Sequence, residues 1–390
     1  MTTHNPSRTH MIYTVAIIGF IFTLHLVIPM YSNSSFLSLF ANAQTVGYIY
    51  MVGSAVSILG FLIAPVMIRR VGNYTAMMWL IVMQIVLFYG LINATDPYFL
   101  AFIFALQMAT TSLIGLSMDI FLEGYTANNH VGAIRGLYTA TLNASWVIGP
   151  LIGSMLITGS GDFKNTYIAA LAMLFPLLYL VLKNFPRFHD PNYIHLSPWQ
   201  LVKHVSRNKS WMWLFVANFI LQVFYAWMVV YSPIYLNQTI GFSWEKIGII
   251  FTIMLVAFPL IQYPLGKLTD KRHDEKGIMA IGFGIMGLAT ISLAFITSAS
   301  ILIWSIAFFM TRIGAAAAEV MMETYFFKTV SSRDSAALGL FRVTRPLSYF
   351  FAPIITAVAL MFTSSGYVFI VVGIISLFAI IPSLLIKDTE

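Results

Sequence analysis

Apolar residues run along this chain in long blocks and do not show the two-residue alternation of half-buried strands. A helix needs about 20 mostly apolar residues to cross roughly 30 Å of hydrocarbon. Twelve blocks meet that length, at residues 11–31, 45–68, 74–94, 97–124, 134–158, 165–184, 211–236, 244–266, 277–297, 299–328, 335–362 and 365–386. The pattern therefore predicts an all-α integral membrane protein with 12 transmembrane helices, here numbered spans one to twelve.

The basic residues between these blocks are distributed unevenly. If the N-terminus lies on the cytoplasmic side, the outer loops hold only Lys164 and Lys246, and the other loop lysines and arginines lie inside. Cytoplasmic loops of membrane proteins carry just such an excess of positive charge. The distribution predicts a multi-pass protein of the cell (inner) membrane with both termini cytoplasmic.

The two halves of the chain resemble each other around its longest inner connection, residues 185–210. The stretch GLYTATLNASWVIGPLIG (136–153) aligns without a gap on GLFRVTRPLSYFFAPIIT (339–356), and IPMY (28–31) falls near SPIY (232–235) at nearly the same separation. Internal repeats of this kind are typical of secondary transporters. The alternative is that the halves share only an apolar composition.

This symmetry predicts two pseudo-symmetric six-helix bundles. Within the connection, LSPWQLVKHV (196–205) has the pattern of a short amphipathic helix on the inner leaflet. The predicted divisions are an N-terminal bundle, a cytoplasmic linker with that short helix, and a C-terminal bundle, at residues 1–184, 185–210 and 211–390.

Composition supports a lipid environment and excludes several classes of function. The chain of 390 residues is 59% hydrophobic and 9% charged, whereas a soluble domain averages about 25% charged residues. Its net charge of +7 comes with no dense basic stretch, so we expect no nucleic-acid partner. It has no cysteine, P-loop, H-E-x-x-H or G-x-S-x-G. We therefore expect neither an enzyme nor an ATP-driven pump, and no cofactor or metal.

The loop after span eight, GKLTDKRHDEK (266–276), resembles the inner-loop signature of the major facilitator superfamily. Gly266, Asp270 and Lys271 match it, whereas His273 stands where a second glycine is usual. The resemblance covers the whole chain and implies a monomeric transporter with a central cavity that works by alternating access.

The equivalent loop of the first half departs from that signature. PVMIRRVGNY (65–74) keeps Gly72 but has Pro65 in place of the glycine and Arg69 in place of the aspartate. In the family, the signature aspartate holds the inner gate shut against a span of the opposite half. By resemblance we expect two latches of reversed polarity, or alternatively only solvated loop charges. The predicted gate residues are Asp270 and Lys271 with Arg135, and Arg69 or Arg70 with Asp334.

Spans ten and eleven carry charged residues at depths where lipid would surround them. Arg312 lies near the middle of span ten, with Glu319 and Glu323 towards its inner end. Arg342 and Arg345 lie at matching depths in span eleven. A charged side chain at the bilayer centre costs at least about 2.5–3.5 kcal/mol, so these residues must face the protein interior.

Two interpretations of these charges remain open. In the first, Glu319 pairs with Arg342 only to hold two spans together. In the second, Arg312 and Arg345, with Arg342 near them, bind an anionic group of a substrate, because guanidinium matches carboxylate and phosphate with two parallel hydrogen bonds. Glu319, with Glu323 beside it, is then the proton carrier, since the surroundings of a buried carboxylate decide its protonation.

Other polar and aromatic residues inside the spans are weaker candidates. Asp119 and Glu123 share one face of span four. Either both are boundary charges that capture Arg70 or Arg135, or Asp119 is a second proton site. His25 lies in the middle of span one, where it either relays protons or serves as a hydrogen-bonded packing residue. The remaining candidates, which either contact the substrate or pack the core, are Asn143, Trp146 and Trp227.

These features together predict a proton-coupled secondary transporter that moves a small organic anion or an anionic amphiphile. The Gly-Pro pair in WVIGPLIG (146–153) is similar to a motif of the family's exporters and favours export by antiport. The alternatives are a proton symporter that takes up a small polar nutrient and a lipid flippase. A membrane receptor or scaffold would leave the midplane charges without a use beyond pairing.

The latch hypothesis makes a prediction about charge reversal. Arg69→Asp and Asp334→Arg should each slow anion-driven proton flux in liposomes about fivefold, the factor that corresponds to an ion pair of about 1 kcal/mol. The double variant should recover the flux because it restores the pair with its polarity exchanged. If the double variant is as slow as the single ones, the two side chains do not form a latch.

Overall fold

The computed structural model describes residues 8–125, 131–157, 162–190, 206, 208–272, 275–329 and 335–387. The predicted amphipathic helix at 196–205 lies outside these residues. The helices that correspond to the twelve spans are Arg8–Met30, Ala43–Val71, Asn73–Asn93, Pro97–Tyr125, Val131–Leu156, Lys164–Asn184, Lys209–Val230, Trp244–Arg272, Glu275–Leu293, Ile301–Thr329, Ser335–Phe362, and Val368–Phe378 continued by Ile380–Leu385.

Eleven helices within the described residues are long and apolar enough to cross a membrane. The remaining span, Val131–Leu156, is a helix of similar length in which Thr139, Thr141 and Asn143 interrupt the apolar residues. The described part of the chain contains no strand. The predicted all-α membrane fold is therefore confirmed.

Spans one and seven are broken at their C-terminal ends, at the two motifs that the sequence alignment matched. Span one ends at Met30 and is followed by a short helix, Asn33–Ser38. Span seven ends at Val230 and continues as Ser232–Ile234 and a π-helical turn, Tyr235–Thr239. A proline precedes or enters each break, where its ring and missing N–H interrupt regular helix.

The helices form two compact units. The first comprises Met1–Ser32 and Val56–Tyr193, and the second comprises Asn33–Ala55 and Ile194–Glu390. The outer part of span two thus packs with the second half of the sequence. The division into 1–184, 185–210 and 211–390 stays a prediction.

Two contacts show how the outer part of span two packs in the second unit. A Cβ on Gly47 would lie 3.1 Å from Pro353 and 3.2 Å from the hydroxyl of Tyr231, so only a glycine fits there without displacement. One helical turn further along, the ring of Tyr50 stacks on that of Tyr349, with centroids 6.0 Å apart. A small residue and an aromatic pair therefore bring spans two and eleven together.

In the first unit, glycines let span five approach span one. An added Cβ on Gly153 would meet the carbonyl group of Ile28, and one on Gly149 would meet the side chain of Val27. The hydroxyl of Ser145 donates a hydrogen bond of 3.0 Å to the carbonyl of Phe20. The glycines of WVIGPLIG thus have a packing role, which small residues commonly have between membrane helices.

In the second unit, span ten crosses span nine at glycines. A Cβ on Gly314 would meet the backbone of Gly282 and Met286, and a Cβ on Gly282 would lie 2.8 Å from the carbonyl oxygen of Gly314. The four alanines that follow, residues 315–318, are all buried. This run of small residues takes part in a close helix contact, because a Cβ on Gly282 would also meet Ala317 and Ala318.

The loop between spans two and three is hydrogen-bonded to the start of the linker. Gly72 has φ 79°, a left-handed conformation that favours glycine. The backbone N–H of Asn73, at the start of span three, donates to Oδ1 of Asp190 at 2.9 Å. Phe188 of the same segment packs edge-on against Phe121 at 4.6 Å. A linker carboxylate therefore lies against the glycine of the altered signature loop.

This contact predicts a loss of stability when the carboxylate is removed. Asp190→Ala should lower the free energy of unfolding by about 1 kcal/mol, because a backbone N–H at a helix start loses its acceptor. Asp190→Asn keeps an acceptor oxygen and should lose less. Thermal unfolding of the purified protein in detergent measures the difference. Equal midpoints for the alanine variant and the unmodified protein would show that this hydrogen bond does not stabilise the loop.

Candidate functional site

Arg312 is one of the largest fully buried side chains of the described chain, with 1% of its surface exposed. Its guanidinium carbon lies 5.0 Å from the ring centroid of Phe224 and 5.4 Å from that of Tyr225, both on span seven. Such cation–π contacts attract a guanidinium but satisfy none of its N–H donors. Nε and Nη1 are buried and have no hydrogen-bond partner among the described residues.

Glu319 lies two helical turns from Arg312 on the same face of span ten, because seven residues nearly complete two turns. Its Oε2 accepts a hydrogen bond from the hydroxyl of Tyr225 at 3.3 Å. The same oxygen accepts a second one from Nε2 of Gln262, on span eight, at 3.1 Å. Glu319 is partly buried, so three spans converge on this one carboxylate.

The arginines of span eleven belong to the same region of the second unit. Arg345, like Arg312 and Glu323, lies close enough to Glu319 to interact with it electrostatically. Within the described residues, however, no ion pair joins Glu319 to an arginine. The Glu319–Arg342 pair, which the sequence offered as a purely structural explanation, is not formed. Arg342, Arg345 and Glu323 each have interaction partners of their own.

Two further polar contacts hold the helices around this site. Nδ2 of Asn218 donates to the hydroxyl of Thr344 at 2.8 Å and joins spans seven and eleven. At the inner end, Nζ of Lys328 lies 2.6 Å from Oε1 of Glu275, which is buried, and joins spans nine and ten. The donor and the acceptor of each contact are paired with each other, so the two contacts join the spans without leaving these groups unpaired.

His25 lies in a closed polar cluster of the first unit. It is fully buried between the rings of Phe22 and Phe88, and its Nδ1 bonds to the carbonyl of Phe22 at 2.5 Å. Nε2 of Gln84 lies 3.4 Å from Nε2 of His25 and donates to the hydroxyl of Thr111 at 2.8 Å. These contacts match the hydrogen-bonded packing role, and a proton-relay role for His25 stays a prediction.

The other candidates inside the spans are distributed over both units. Asp119, Asn143 and Trp146 are partly buried in the first unit and have interaction partners, as does the exposed Glu123. Trp227 is buried in the second unit, where its ring stacks on Tyr231 at 5.9 Å and meets Phe369 edge-on at 4.9 Å. It therefore belongs to an aromatic cluster.

The predicted gate residues are described only in part. Arg69 and Arg70 are exposed in the last turn of span two, where the helix dipole favours positive charge. The side chains of the other gate residues lie outside the described part of the chain, and their roles stay predictions; these residues are Arg135, Asp270, Lys271 and Asp334.

The sequence analysis missed Phe224, Tyr225 and Gln262, which form the immediate surroundings of Arg312 and Glu319. Gln262 carried a usable signal, because an amide within an apolar span usually finds a polar partner. The two aromatic residues carried none, since aromatic side chains make up 15% of the chain. Only the packing of span seven against span ten distinguishes them.

Comparison with known proteins identifies the family. The model of the Major Facilitator Superfamily matches residues 11–251 and 232–390. The chain belongs to the major facilitator superfamily. It is also similar to an uncharacterized MFS-type transporter of Methanocaldococcus jannaschii, with 24% identity over 276 residues that cover 66% of this chain and 68% of the relative.

Membership of this superfamily gives the broad activity. The major facilitator superfamily is a family of transporters, so this multi-pass membrane protein carries out secondary transport of a small molecule across the lipid bilayer. The resemblance of the chain to this superfamily, which the sequence analysis stated, is thereby confirmed.

The burial of Arg312 makes a prediction that separates a structural role from a binding role. Replacing a buried charge by an apolar side chain of similar size is often neutral or stabilising by about 1–4 kcal/mol. Arg312→Met should therefore leave the thermal midpoint in detergent unchanged or raise it, while Arg187→Met, at an exposed position, should have no effect. A loss of more than about 2 kcal/mol for Arg312→Met would show that the arginine holds the fold together.

Proposed function

We propose that this transporter is proton-coupled and moves a small organic anion, or an amphiphile with an anionic head, by alternating access. The observation that carries the proposal is the pairing on one face of span ten. A buried guanidinium with unpartnered nitrogens lies two turns from a carboxylate that forms no ion pair among the described residues. The first group suits an anion, and the second suits a proton.

The case for an anion rests on the cost of the unpaired arginine. A buried charge without partners is strongly destabilising, so a protein gains from it only where a ligand completes its hydrogen bonds. Nε and Nη1 point to different sides of the guanidinium plane, and each can donate a charge-assisted hydrogen bond to an oxygen of a carboxylate, sulfonate or phosphate. Arg345, and Arg342 in the same span, would add positive charge to the site.

The case for an apolar body on the substrate rests on the aromatic surroundings. Phe224 and Tyr225 lie against Arg312, and the ring of Phe258 lies 6.1 Å from that of Tyr225. Flat apolar faces beside a cationic group favour a ligand that combines a charged head with an apolar or aromatic body. Trp227 in the second unit, and Trp146 and Asn143 in the first, remain candidates for further contacts.

The case for protons rests on Glu319. It accepts two neutral hydrogen bonds and no ion pair, so its charge is compensated only by arginines at longer range. A carboxylate in such surroundings can bind a proton when the nearby positive charge is occupied by an anion. Glu323, Asp119 and His25 are additional proposed proton sites.

We place the protein in the cell (inner) membrane as a monomer with both termini cytoplasmic. The Gly-Pro motif of span five favours export by antiport, whereas joint binding of an anion at Arg312 and a proton at Glu319 favours symport. The charged inner loops would form the gate, with Asp270 and Lys271 against Arg135, and Arg69 or Arg70 against Asp334. Uptake by symport uses the same residues, so the sign of the coupled proton movement distinguishes the two directions.

Reconstitution into liposomes with a pH-sensitive dye inside tests the proposal. Benzenesulfonate is the first probe because it stays ionised at neutral pH and cannot carry a proton across lipid by itself. Phosphate, choline and glucose complete the panel. We expect benzenesulfonate-dependent proton flux that Glu319→Gln and Arg312→Met each reduce at least about tenfold, as the loss of one charged interaction predicts. Glu245→Gln and Arg187→Met change exposed residues and serve as matched controls.

Either of two results would contradict the proposal. Proton flux driven only by choline or glucose, and unchanged in Arg312→Met, would make the arginine structural and point to a different class of substrate. Movement of fluorescent phospholipid between leaflets, with no flux of any panel compound, would instead identify a lipid flippase.

A further inference from the structure

Tyr225 contacts both Arg312 and Glu319. Its ring lies under the guanidinium, 5.4 Å from Cζ to the ring centroid. Its hydroxyl donates to Oε2 of Glu319 at 3.3 Å. The aromatic face and the polar tip of one tyrosine thus belong to two different charged sites.

Arg312 and Glu319 do not contact each other directly. Seven residues of helix separate their Cα atoms by about 10.5 Å along the axis, and no ion pair joins the two side chains within the described residues. Any mechanical link between an anion on Arg312 and a proton on Glu319 must pass through a residue of a neighbouring span. Tyr225, on span seven, is in the position to provide it.

The hydrogen bond from Tyr225 is of a kind that exchanges readily. At 3.3 Å it is longer than the usual 2.7–2.8 Å between two oxygens, whereas Gln262 donates to the same oxygen at 3.1 Å. An ionised carboxylate only accepts hydrogen bonds, but a protonated one also donates through its own O–H. Protonation of Glu319 therefore alters the contact that the tyrosine hydroxyl can make.

We propose that Tyr225 couples anion binding at Arg312 to protonation of Glu319. The inference rests on the proposed function and adds the residue through which the two sites communicate. An anion that binds at Nε or Nη1 weakens the attraction between the guanidinium and the aromatic ring of Tyr225. The ring then shifts, and its hydroxyl leaves Glu319. The carboxylate then loses a donor while the nearby positive charge is neutralised, and both changes favour uptake of a proton.

The other groups around Glu319 do not have this double contact. Glu323 on span ten and Arg345 on span eleven act on Glu319 through their charges. Gln262 on span eight donates to the same oxygen as Tyr225, but it forms no hydrogen bond with Nε or Nη1 of Arg312, which have no partner among the described residues. Gln262 therefore provides a matched control, because its removal costs Glu319 one hydrogen bond without breaking the link to Arg312.

The test compares two transport modes of the full-length protein in liposomes with radiolabelled benzenesulfonate. Exchange at equal pH and equal concentration on both sides requires no net proton movement, whereas net transport driven by a pH gradient requires coupling. Tyr225→Phe keeps the ring on Arg312 and removes only the hydroxyl. We expect its exchange rate to stay within about twofold of the unmodified protein and its gradient-driven transport to fall at least about tenfold, more than 1.4 kcal/mol at the coupled step.

The controls distinguish a loss of coupling from misfolding and from a failure of the proposed function. Gln262→Leu should keep the ratio of the two modes within about twofold, and all variants should unfold at the same temperature as the unmodified protein in detergent. If Tyr225→Phe keeps gradient-driven transport, or if Gln262→Leu uncouples equally, the coupling role of Tyr225 is wrong while the anion carrier stands. If the unmodified protein moves no protons with benzenesulfonate or phosphate, the proposed function fails, and this inference fails with it.

Discussion

The absence of water from the hydrocarbon core governs the arrangement of polar groups in this protein. Each polar group in a membrane span must find its partner within the protein, because lipid offers none. Most hydroxyl groups in the spans satisfy this requirement locally: Thr110 donates to the carbonyl of Leu106 and Ser376 to that of Val372, both at 2.8 Å. Asn218 and Thr344 satisfy it between spans. Among the described side chains with buried polar atoms that have no hydrogen-bond partner, Arg312 is the charged one, and a buried charge requires an explanation.

The same constraint shapes the surroundings of that arginine. Span ten packs against span nine through Gly314 and the alanines after it, so the two backbones lie close together. Arg312 and Glu319 lie on either side of these small residues, beside spans seven and eight. Tyr225 and Gln262 are thereby held within reach of Glu319. Close packing at small residues and the position of the two charged side chains beside spans seven and eight are two consequences of one helix contact.

The sequence predicted the elements of this fold well, because twenty consecutive apolar residues have few structures available to them in a lipid environment. It also predicted that Arg312 and Glu319 face the interior, which follows from the cost of exposing a charge to lipid. It did not predict that residues 33–55 pack with the second unit, or that Asp190 caps span three across 117 residues of sequence. Such contacts depend on how particular surfaces meet, and Tyr225 was missed for the same reason.

The central claim is that the substrate anion binds at the unpartnered nitrogens of Arg312, Nε and Nη1. A crystal structure with 4-bromobenzenesulfonate tests it most directly, because the anomalous signal of bromine locates the ligand without assumptions about its pose. We expect the sulfonate within hydrogen-bonding distance of Nε or Nη1 of Arg312, with the brominated ring against Phe224 or Tyr225. A ligand bound elsewhere, with both nitrogens of Arg312 bonded to protein groups, would contradict it.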